Sequence, residues 1–241
     1  MSMRSCVVLG SGRSGTSLLA GVLHDQGYYL GADLYVPPSP SNPKGFFEDR
    51  EVNDINEELL GQAPQQGLRQ GQRWLLALPE VPDLKCGPIM TERIARVTAR
   101  RPLCFKDPRF CYTLPVWRSA LGDAAMLCVF REPARTANSM VTECASVEYL
   151  FDVDMSFPRA VSTWAAMYGC VLDHLAGEGD WLFVHYDQIL DGTAFARMSE
   201  LLGVEVVSDF ADTGLKRSPA TGEAGPRASA VYAELCRRAG Y

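Results

Sequence analysis

The chain has 241 residues, 47% of them hydrophobic, which is enough apolar material for one sizeable core. It carries 23 lysines and arginines against 29 aspartates and glutamates, and the formal net charge of −6 disfavours a general nucleic-acid or anionic-membrane surface. Eight cysteines without a CxxC pair and three widely separated histidines do not fit a zinc site. We therefore expect one domain, residues 1–241, without a metal. No stretch has the pattern of a signal peptide or the length of a membrane span, so we expect a cytoplasmic protein.

The first predicted element is an apolar strand that ends in a glycine-rich loop and is followed by a helical pattern. The loop and the helix start read Gly10-Ser11-Gly12-Arg13-Ser14-Gly15-Thr16-Ser17. Glycines let successive backbone N–H groups turn inward, and the positive end of the next helix favours an anion at the same place. Gly10 and Gly15 have the spacing of the nucleotide-triphosphate loop GxxxxGK[ST], but Thr16 replaces its lysine and the cation has moved to Arg13. The residues from Gly12 to Ser17 are predicted to bind a phosphate, and a glycine-rich turn without a ligand is the alternative.

A second helix is predicted after a proline-rich loop, and it begins near two acids. Its apolar positions recur from Val52 to Leu60, and counting back by helical steps places Glu48 and Glu51 on the same inward side. A carboxylate there could act as a general base for a hydroxyl group. Alternatively, the two acids serve only the dipole of the helix. A short strand, Tyr28 to Leu30, is predicted before the loop.

Residues 61–87 are rich in Gln, Gly and Pro, with Trp74-Leu75-Leu76 as their apolar cluster. Long loops in compact domains are usually functional or disordered. We interpret this segment as a lid or an acceptor-binding insertion, and a plain surface excursion is an equal alternative. A basic helix from about Thr91 to Arg100 is predicted next.

Two further strands are predicted to end in basic residues. Leu103 to Phe105 is followed by Lys106, and the long apolar run from Ala125 to Phe130 is followed by Arg131. The carboxyl ends of parallel strands are where doubly wound sheets bind ligands. The structural alternatives are surface ion pairs. Lys106 would pair with the neighbouring Asp107, and Arg131 with Glu132. A last strand ends near His185, which we keep as a reserve candidate for the base.

Four segments resemble, in order, the motifs of sulfotransferases that use 3′-phosphoadenosine-5′-phosphosulfate (PAPS). GSGRSGTSLL is similar to their 5′-phosphosulfate loop, and NPKGFFE is similar to a stretch found in many bacterial members. The lysine-x-proline segment that begins at Lys106 is a third match. Arg131 at a strand end, with Ser139 eight residues later on a helix, resembles the 3′-phosphate motif.

This resemblance implies a three-layer α/β fold with a mostly parallel sheet, similar to P-loop nucleotide kinases. It also implies that Glu48 is the base and that Arg13 and Lys106 stabilise the transferring group. Arg131, Ser139 and, by a weaker match, Lys216 and Arg217 would hold the 3′-phosphate. The acceptor would be a hydroxyl of a small-molecule, saccharide or lipid-linked compound, and the product would be adenosine 3′,5′-bisphosphate (PAP). A P-loop kinase and a catalytically silent nucleotide-binding module are the alternatives.

Overall fold

A parallel sheet lies at the centre of the computed structural model, which describes residues 3–35, 45–64, 66–208 and 221–241. In these ranges the strands are β1 (Cys6–Leu9), β2 (Cys104–Lys106), β3 (Ala125–Phe130) and β4 (Trp181–His185), in the spatial order β2-β1-β3-β4. All three pairings are parallel, and Val8 of β1 lies opposite Lys106 and Leu127. The strands are almost wholly buried, as parallel strands covered on both faces require.

Helices cover both faces of the sheet. They are α1 (Thr16–Asp25), α2 (Arg50–Leu60), α3 (Pro88–Val97), α4 (Phe110–Leu121), α5 (Pro133–Ser146), α6 (Phe157–Cys170), α7 (Tyr186–Leu190), α8 (Phe195–Leu202) and α9 (Gly225–Ala239). Alternate residues of β1 belong to two separate core clusters: Val7 and Leu9 pack with α2 to α6 and α9, whereas Cys6 and Val8 pack with α1 and α8. The predicted fold class, three-layer α/β with a mostly parallel sheet, is confirmed.

Some predicted boundaries were wrong. The segment from Tyr28 to Leu30 forms a single bridge, between Tyr29 and Leu103, rather than a strand. Helix α3 begins at Pro88, three residues before the predicted start, because a proline is well suited to the first helical turn. Lys216 and Arg217 lie outside the described residues.

The segment from residue 61 to 87 packs against the first core cluster. In the part of it that the structure describes, regular structure is limited to a 3₁₀ turn, Arg73–Leu75. Its apolar side chains are nevertheless buried, among them Leu68, Trp74, Leu76 and Leu78. Burial of these side chains fixes the segment to the domain, where it forms part of the wall of the fold.

The carboxyl ends of the strands meet at one edge of the sheet. β1 leads into the glycine-rich loop, β2 into Asp107, β3 into Arg131 and β4 into α7. This edge therefore collects the predicted anion-binding loop and the two basic strand ends. Among the helices of the described ranges, none has the length and apolarity that a membrane crossing needs.

Candidate functional site

The glycine-rich loop makes a tight turn between β1 and α1 that depends on two glycines. Gly10 has φ +141°, and a Cβ atom there would lie 2.1 Å from the carbonyl oxygen of Val129. Gly15 has φ +97°, and a Cβ atom there would lie 2.4 Å from the ring of Tyr186. Neither position can hold a side chain without moving its neighbours. Helix α1 begins directly afterwards at Thr16, so its N-terminal N–H groups face the loop.

A buried tyrosine fixes this loop to the centre of the sheet. The hydroxyl of Tyr168, on α6, donates to the carbonyl oxygen of Val129 at 2.6 Å and accepts from the backbone N–H of Ser11 at 3.0 Å. Tyr168 is fully buried. Because both partners are backbone groups, the first turn of the loop has a fixed position relative to the end of β3.

Arg13, at the tip of the loop, extends its side chain to α5. Its backbone has φ +70°, which is unusual for a residue other than glycine. Its Nε donates to Ser139 Oγ at 3.1 Å, and its Nη1 lies 3.6 Å from Glu143 Oε2. Ser139 and Glu143 are one turn apart on α5, so they present adjacent polar groups to the same guanidinium.

A cavity of about 410 Å³ opens between the loop, the end of β2, the start of α2 and the segment of residues 61–87. Its charged lining residues are Arg13, Glu48, Arg50, Asp54, Glu57, Lys106, Arg109 and Glu143. Its aromatic lining residues are Tyr35, Phe46, Trp74 and Tyr149. The cavity thus combines the glycine-rich loop with carboxylates and cations. In the described part of the chain, no group of three His, Cys, Asp or Glu side chains has the arrangement of a metal site.

Glu48 and Lys106 form an ion pair inside this cavity, between Glu48 Oε1 and Lys106 Nζ. Lys106 is only 2% exposed although it ends a strand. It pairs with Glu48 and not with the neighbouring Asp107, which was the structural alternative. The structure therefore brings together the predicted base and one of the predicted charge-stabilising cations.

Glu48 and Glu51 do not share a side of the helix, contrary to the expectation from helical spacing. Asp49 caps α2 by accepting from the backbone N–H of Val52 at 3.1 Å. Glu48 therefore lies before the helix, and helical spacing does not set the direction of its side chain. Glu51 lies on α2 and pairs with Arg93 of α3 at 2.9 Å. The hydrogen bond from Arg93 lowers the pKa of Glu51. Glu51 is not among the cavity-lining residues.

A buried polar network supports the cavity wall behind Lys106. Arg109 donates through Nε to Glu57 Oε1 at 2.6 Å and through Nη1 to Asp107 Oδ1 at 3.0 Å. Asp107 Oδ2 accepts from Asn56 Nδ2 at 2.9 Å, and Glu57 Oε2 accepts from Arg73 Nη1 at 3.0 Å. Burial tends to lower the pKa of Arg109, but the charges of Asp107, Glu57 and Glu48 outweigh it and raise that pKa.

Arg131 and Ser139 are not among the residues that line the cavity. The Arg131 guanidinium stacks over the ring of Tyr186 at 4.5 Å, and burial lowers its pKa. Its Nη2 is buried with no hydrogen-bond partner among the described residues. Ser139 is bonded to Arg13 instead, as described above. Asn138, next to Ser139, donates to the carbonyl oxygen of Thr221 at 2.8 Å, which places Thr221 beside α5.

The reserve candidate, His185, lies away from the cavity. Its Nδ1 accepts from the backbone N–H of Asp187 at 3.1 Å, as the cap of α7, and its Nε2 is 3.2 Å from the hydroxyl of Tyr232. Its ring stacks on Tyr241 at 3.7 Å. These contacts bury the imidazole to 2% exposure and give it a structural position at the end of β4.

Glu143 and Tyr149 are cavity residues that were not singled out from the sequence. Glu143 could have been found from its position one turn after Ser139, whereas Tyr149 carries no local signal. Tyr149 is 46% exposed, and its partial burial, followed by the charge of Glu48, raises its pKa to about 12, with Glu143 adding to the effect and Arg109 opposing it. Trp74 was named only as part of the apolar cluster of residues 61–87, and its contact with the glycine-rich loop was not predicted. Trp74 packs on the loop so closely that a Cβ atom at Gly12 would lie 2.4 Å from its ring.

A solved structure with a similar fold is the sulfotransferase domain from the Synechococcus PCC 7002 olefin synthase. The two chains are 17% identical in sequence and superpose with a TM-score of 0.51, over 98% of this chain and 94% of the other. A likeness at this identity shows a common fold. No protein-family model matches the chain, and no curated protein matches it in sequence.

Because of the buried network, we expect substitutions of two adjacent glutamates to differ strongly in their effect on the free energy of unfolding. Glu57→Gln removes one carboxylate from the buried Arg109, and we expect a loss of about 3–5 kcal/mol in the free energy of unfolding. Glu58→Gln, the matched control, removes a carboxylate whose side chain is 63% exposed and pairs with Arg93, and should change stability by less than about 1 kcal/mol. Urea unfolding of both variants measures the two losses. Equal losses would contradict the assigned importance of the Arg109 network.

Proposed function

We propose that this protein is a sulfotransferase that moves the sulfuryl group of PAPS to a hydroxyl of a small-molecule, saccharide or lipid-linked acceptor. The observation that carries the proposal is the buried Nη2 of Arg131, a hydrogen-bond donor without a partner in the described residues, at the end of the central strand. A buried unpaired donor is costly unless a ligand satisfies it. PAPS has a 3′-phosphate to do so, whereas ATP does not. The similar fold of a sulfotransferase domain supports the same assignment.

The other donor-binding residues fit the two ends of such a nucleotide. Gly12 to Ser17 and the N-terminus of α1 offer backbone N–H groups for the 5′-phosphosulfate. Thr16 stands where a kinase needs its lysine, which favours a donor without a triphosphate. Arg131 would hold the 3′-phosphate, with Ser139 on the next helix. We keep Lys216 and Arg217 as further 3′-phosphate ligands by resemblance, and Thr221, four residues after Arg217, accepts from Asn138 of α5.

In the proposed reaction, the bound donor supplies an activated sulfuryl group. Glu48 accepts the proton of the acceptor hydroxyl as its oxygen forms a bond to sulfur. The bond from sulfur to the bridging oxygen breaks on the opposite side, and PAP leaves with that electron pair. Arg13, Lys106 and the N–H groups of the loop stabilise the charge that moves onto the bridging oxygen. Charge stabilisation of this kind is usually the largest contribution to such a transfer.

The ion pair between Glu48 and Lys106 explains how one cavity holds a base and an anion together. Lys106 neutralises Glu48 in the ligand-free protein, so a nearly buried ammonium has a compensating charge. When Lys106 turns to the donor, Glu48 loses its counter-ion and becomes free to accept a proton. Donor binding thereby prepares the base. The wall formed by residues 61–87, with Trp74 against the loop, is our candidate for the acceptor-binding surface. We propose no metal for this reaction.

The first prediction concerns the nucleotide. PAP at 100 times its Kd should stabilise the protein by about 2.7 kcal/mol, whereas ATP with magnesium should give little or no stabilisation, because no lysine follows Gly15. Thermal melting with each ligand measures this. An equal or larger shift with ATP and magnesium would favour a P-loop kinase. PAP binding without turnover of PAPS, on a broad panel of hydroxyl compounds, would favour a silent nucleotide-binding module.

The second prediction concerns the 3′-phosphate. Arg131→Ala should weaken PAP binding by about 1.5–3 kcal/mol, because it removes charge-assisted hydrogen bonds. Adenosine 5′-phosphate, which lacks the 3′-phosphate, should bind wild type weakly and respond little to the same substitution. Arg135→Ala removes the same charge from a side chain that is 42% exposed and serves as the matched control. Calorimetric titrations of both nucleotides against wild type and variant measure the four affinities. Equal losses of affinity for the two nucleotides would contradict the assignment of Arg131 to the 3′-phosphate.

The third prediction concerns the base. Glu48→Gln should lower turnover by about 10² or more through loss of proton transfer, while PAP binding is retained because Lys106 remains. Glu51→Gln is the matched control: it makes the same change three residues later, outside the cavity, and should keep nearly full turnover. Steady-state kinetics with PAPS measure both. Full activity of Glu48→Gln, together with loss of activity in Glu51→Gln or His185→Ala, would show that another residue is the base.

A further inference from the structure

Glu143 is a buried carboxylate that lines the cavity beside the phosphate-binding loop. It is 4% exposed, and its Oε2 has no hydrogen-bond partner in the described ranges. Its charge is compensated by Arg13, whose Nη1 lies 3.6 Å away, beyond hydrogen-bond distance. A buried carboxylate is costly unless it is paired. Arg13 therefore stabilises Glu143 through charge alone and not through a fitted hydrogen bond.

The position of Glu143 is unfavourable for an anion site. Ser139 already orients the Arg13 guanidinium by accepting from its Nε at 3.1 Å, so Glu143 is not needed to aim it. Like charges brought together in a binding site cost several kcal/mol. Glu143 thus opposes a phosphate or sulfuryl ligand in two ways: it repels the anion directly, and it competes with the anion for Arg13.

We propose that Glu143 is the partner that Arg13 leaves when the donor binds, so that Glu143 sets how tightly the loop holds an anion. This inference rests on the proposed function, which makes that ligand PAPS or PAP. The inference goes beyond the proposed function because it assigns a residue that determines specificity and takes no part in the transfer. A simple anion at the loop must overcome Glu143 unaided. A nucleotide that also binds Arg131 has a second source of affinity and can displace Glu143 from Arg13.

The test is a cycle of calorimetric PAP titrations on wild type, Glu143→Gln, Arg13→Met and the double variant. Glu143→Gln keeps the size of the side chain and removes its charge. In the presence of Arg13, this variant should bind PAP about tenfold more tightly than the wild-type protein does, equivalent to about 1.4 kcal/mol. With Arg13→Met, the same substitution relieves only direct repulsion, and the gain should be at most about threefold. The difference between the two gains measures the competition for Arg13.

Glu148→Gln is the matched control, since it makes the same change at an exposed position five residues later. It should leave PAP affinity within about twofold of wild type. Thermal melting checks that each variant folds. If Glu143→Gln does not fold, Glu143→Asp, which withdraws the carboxylate from Arg13, replaces it and should give a smaller gain in the same direction.

Two results would overturn this inference alone: equal gains with and without Arg13, or weaker PAP binding by Glu143→Gln, which would mean that Glu143 orients Arg13 for the ligand. Absence of PAP binding to the wild-type protein would overturn the proposed function and this inference together. The wild-type titration therefore separates the two failures.

Discussion

Arg109 joins the parts of the chain that meet at the cavity, and the shape of the cavity depends on this buried cation. It is 4% exposed and is held by Glu57 of α2 at 2.6 Å and by Asp107 after β2 at 3.0 Å. A buried guanidinium without its carboxylates would lose several kcal/mol. Helix α2 and the end of β2 are therefore fixed to each other by charge as well as by apolar packing.

The same network extends to the wall opposite the sheet. Glu57 also accepts from the backbone N–H groups of Gly71 and Arg73, at 2.9 and 3.2 Å. These bonds hold the turn that precedes Trp74, whose ring then packs on Gly12 of the glycine-rich loop. A segment with almost no regular structure thus receives a defined position from one buried carboxylate. The wall and the loop face each other because both are tied to the edge of the parallel sheet.

The fold was largely predictable because its signals are local. The strand from Ala125 to Phe130 has the predicted bounds, and the loop between Gly10 and Gly15 follows from its spacing. Lys106 was expected at the ligand-binding edge because a strand ends there. The partner of Lys106 was not predictable, since Asp49 rather than Glu48 caps α2 and helical periodicity does not extend to residues before the cap.

Contacts between residues far apart in the sequence could not be predicted from the sequence. The resemblance pairs Ser139 with Arg131 as 3′-phosphate ligands, and the structure adds a hydrogen bond from Arg13, on a different element, to the Ser139 hydroxyl. Such a contact depends on how α5 packs against the loop and leaves no periodic pattern. The roles that we assign to these residues in binding and transfer remain predictions, whereas their positions are given by the structure.

The cations that face the cavity are already paired, and this pairing bears on selectivity. Lys106 is paired with Glu48, and Arg13 is paired with Glu143. A bound anion can therefore pair with either cation only by replacing a carboxylate. The net gain from each exchange is small, because one ion pair is lost as another forms. Arg131 differs, since its buried Nη2 has no partner to lose among the described residues. A ligand that reaches both the loop and Arg131 therefore has an advantage over one that reaches the loop alone. In the proposed reaction, the same exchange frees Glu48 only after the nucleotide is bound, which makes activation of the acceptor hydroxyl follow donor binding.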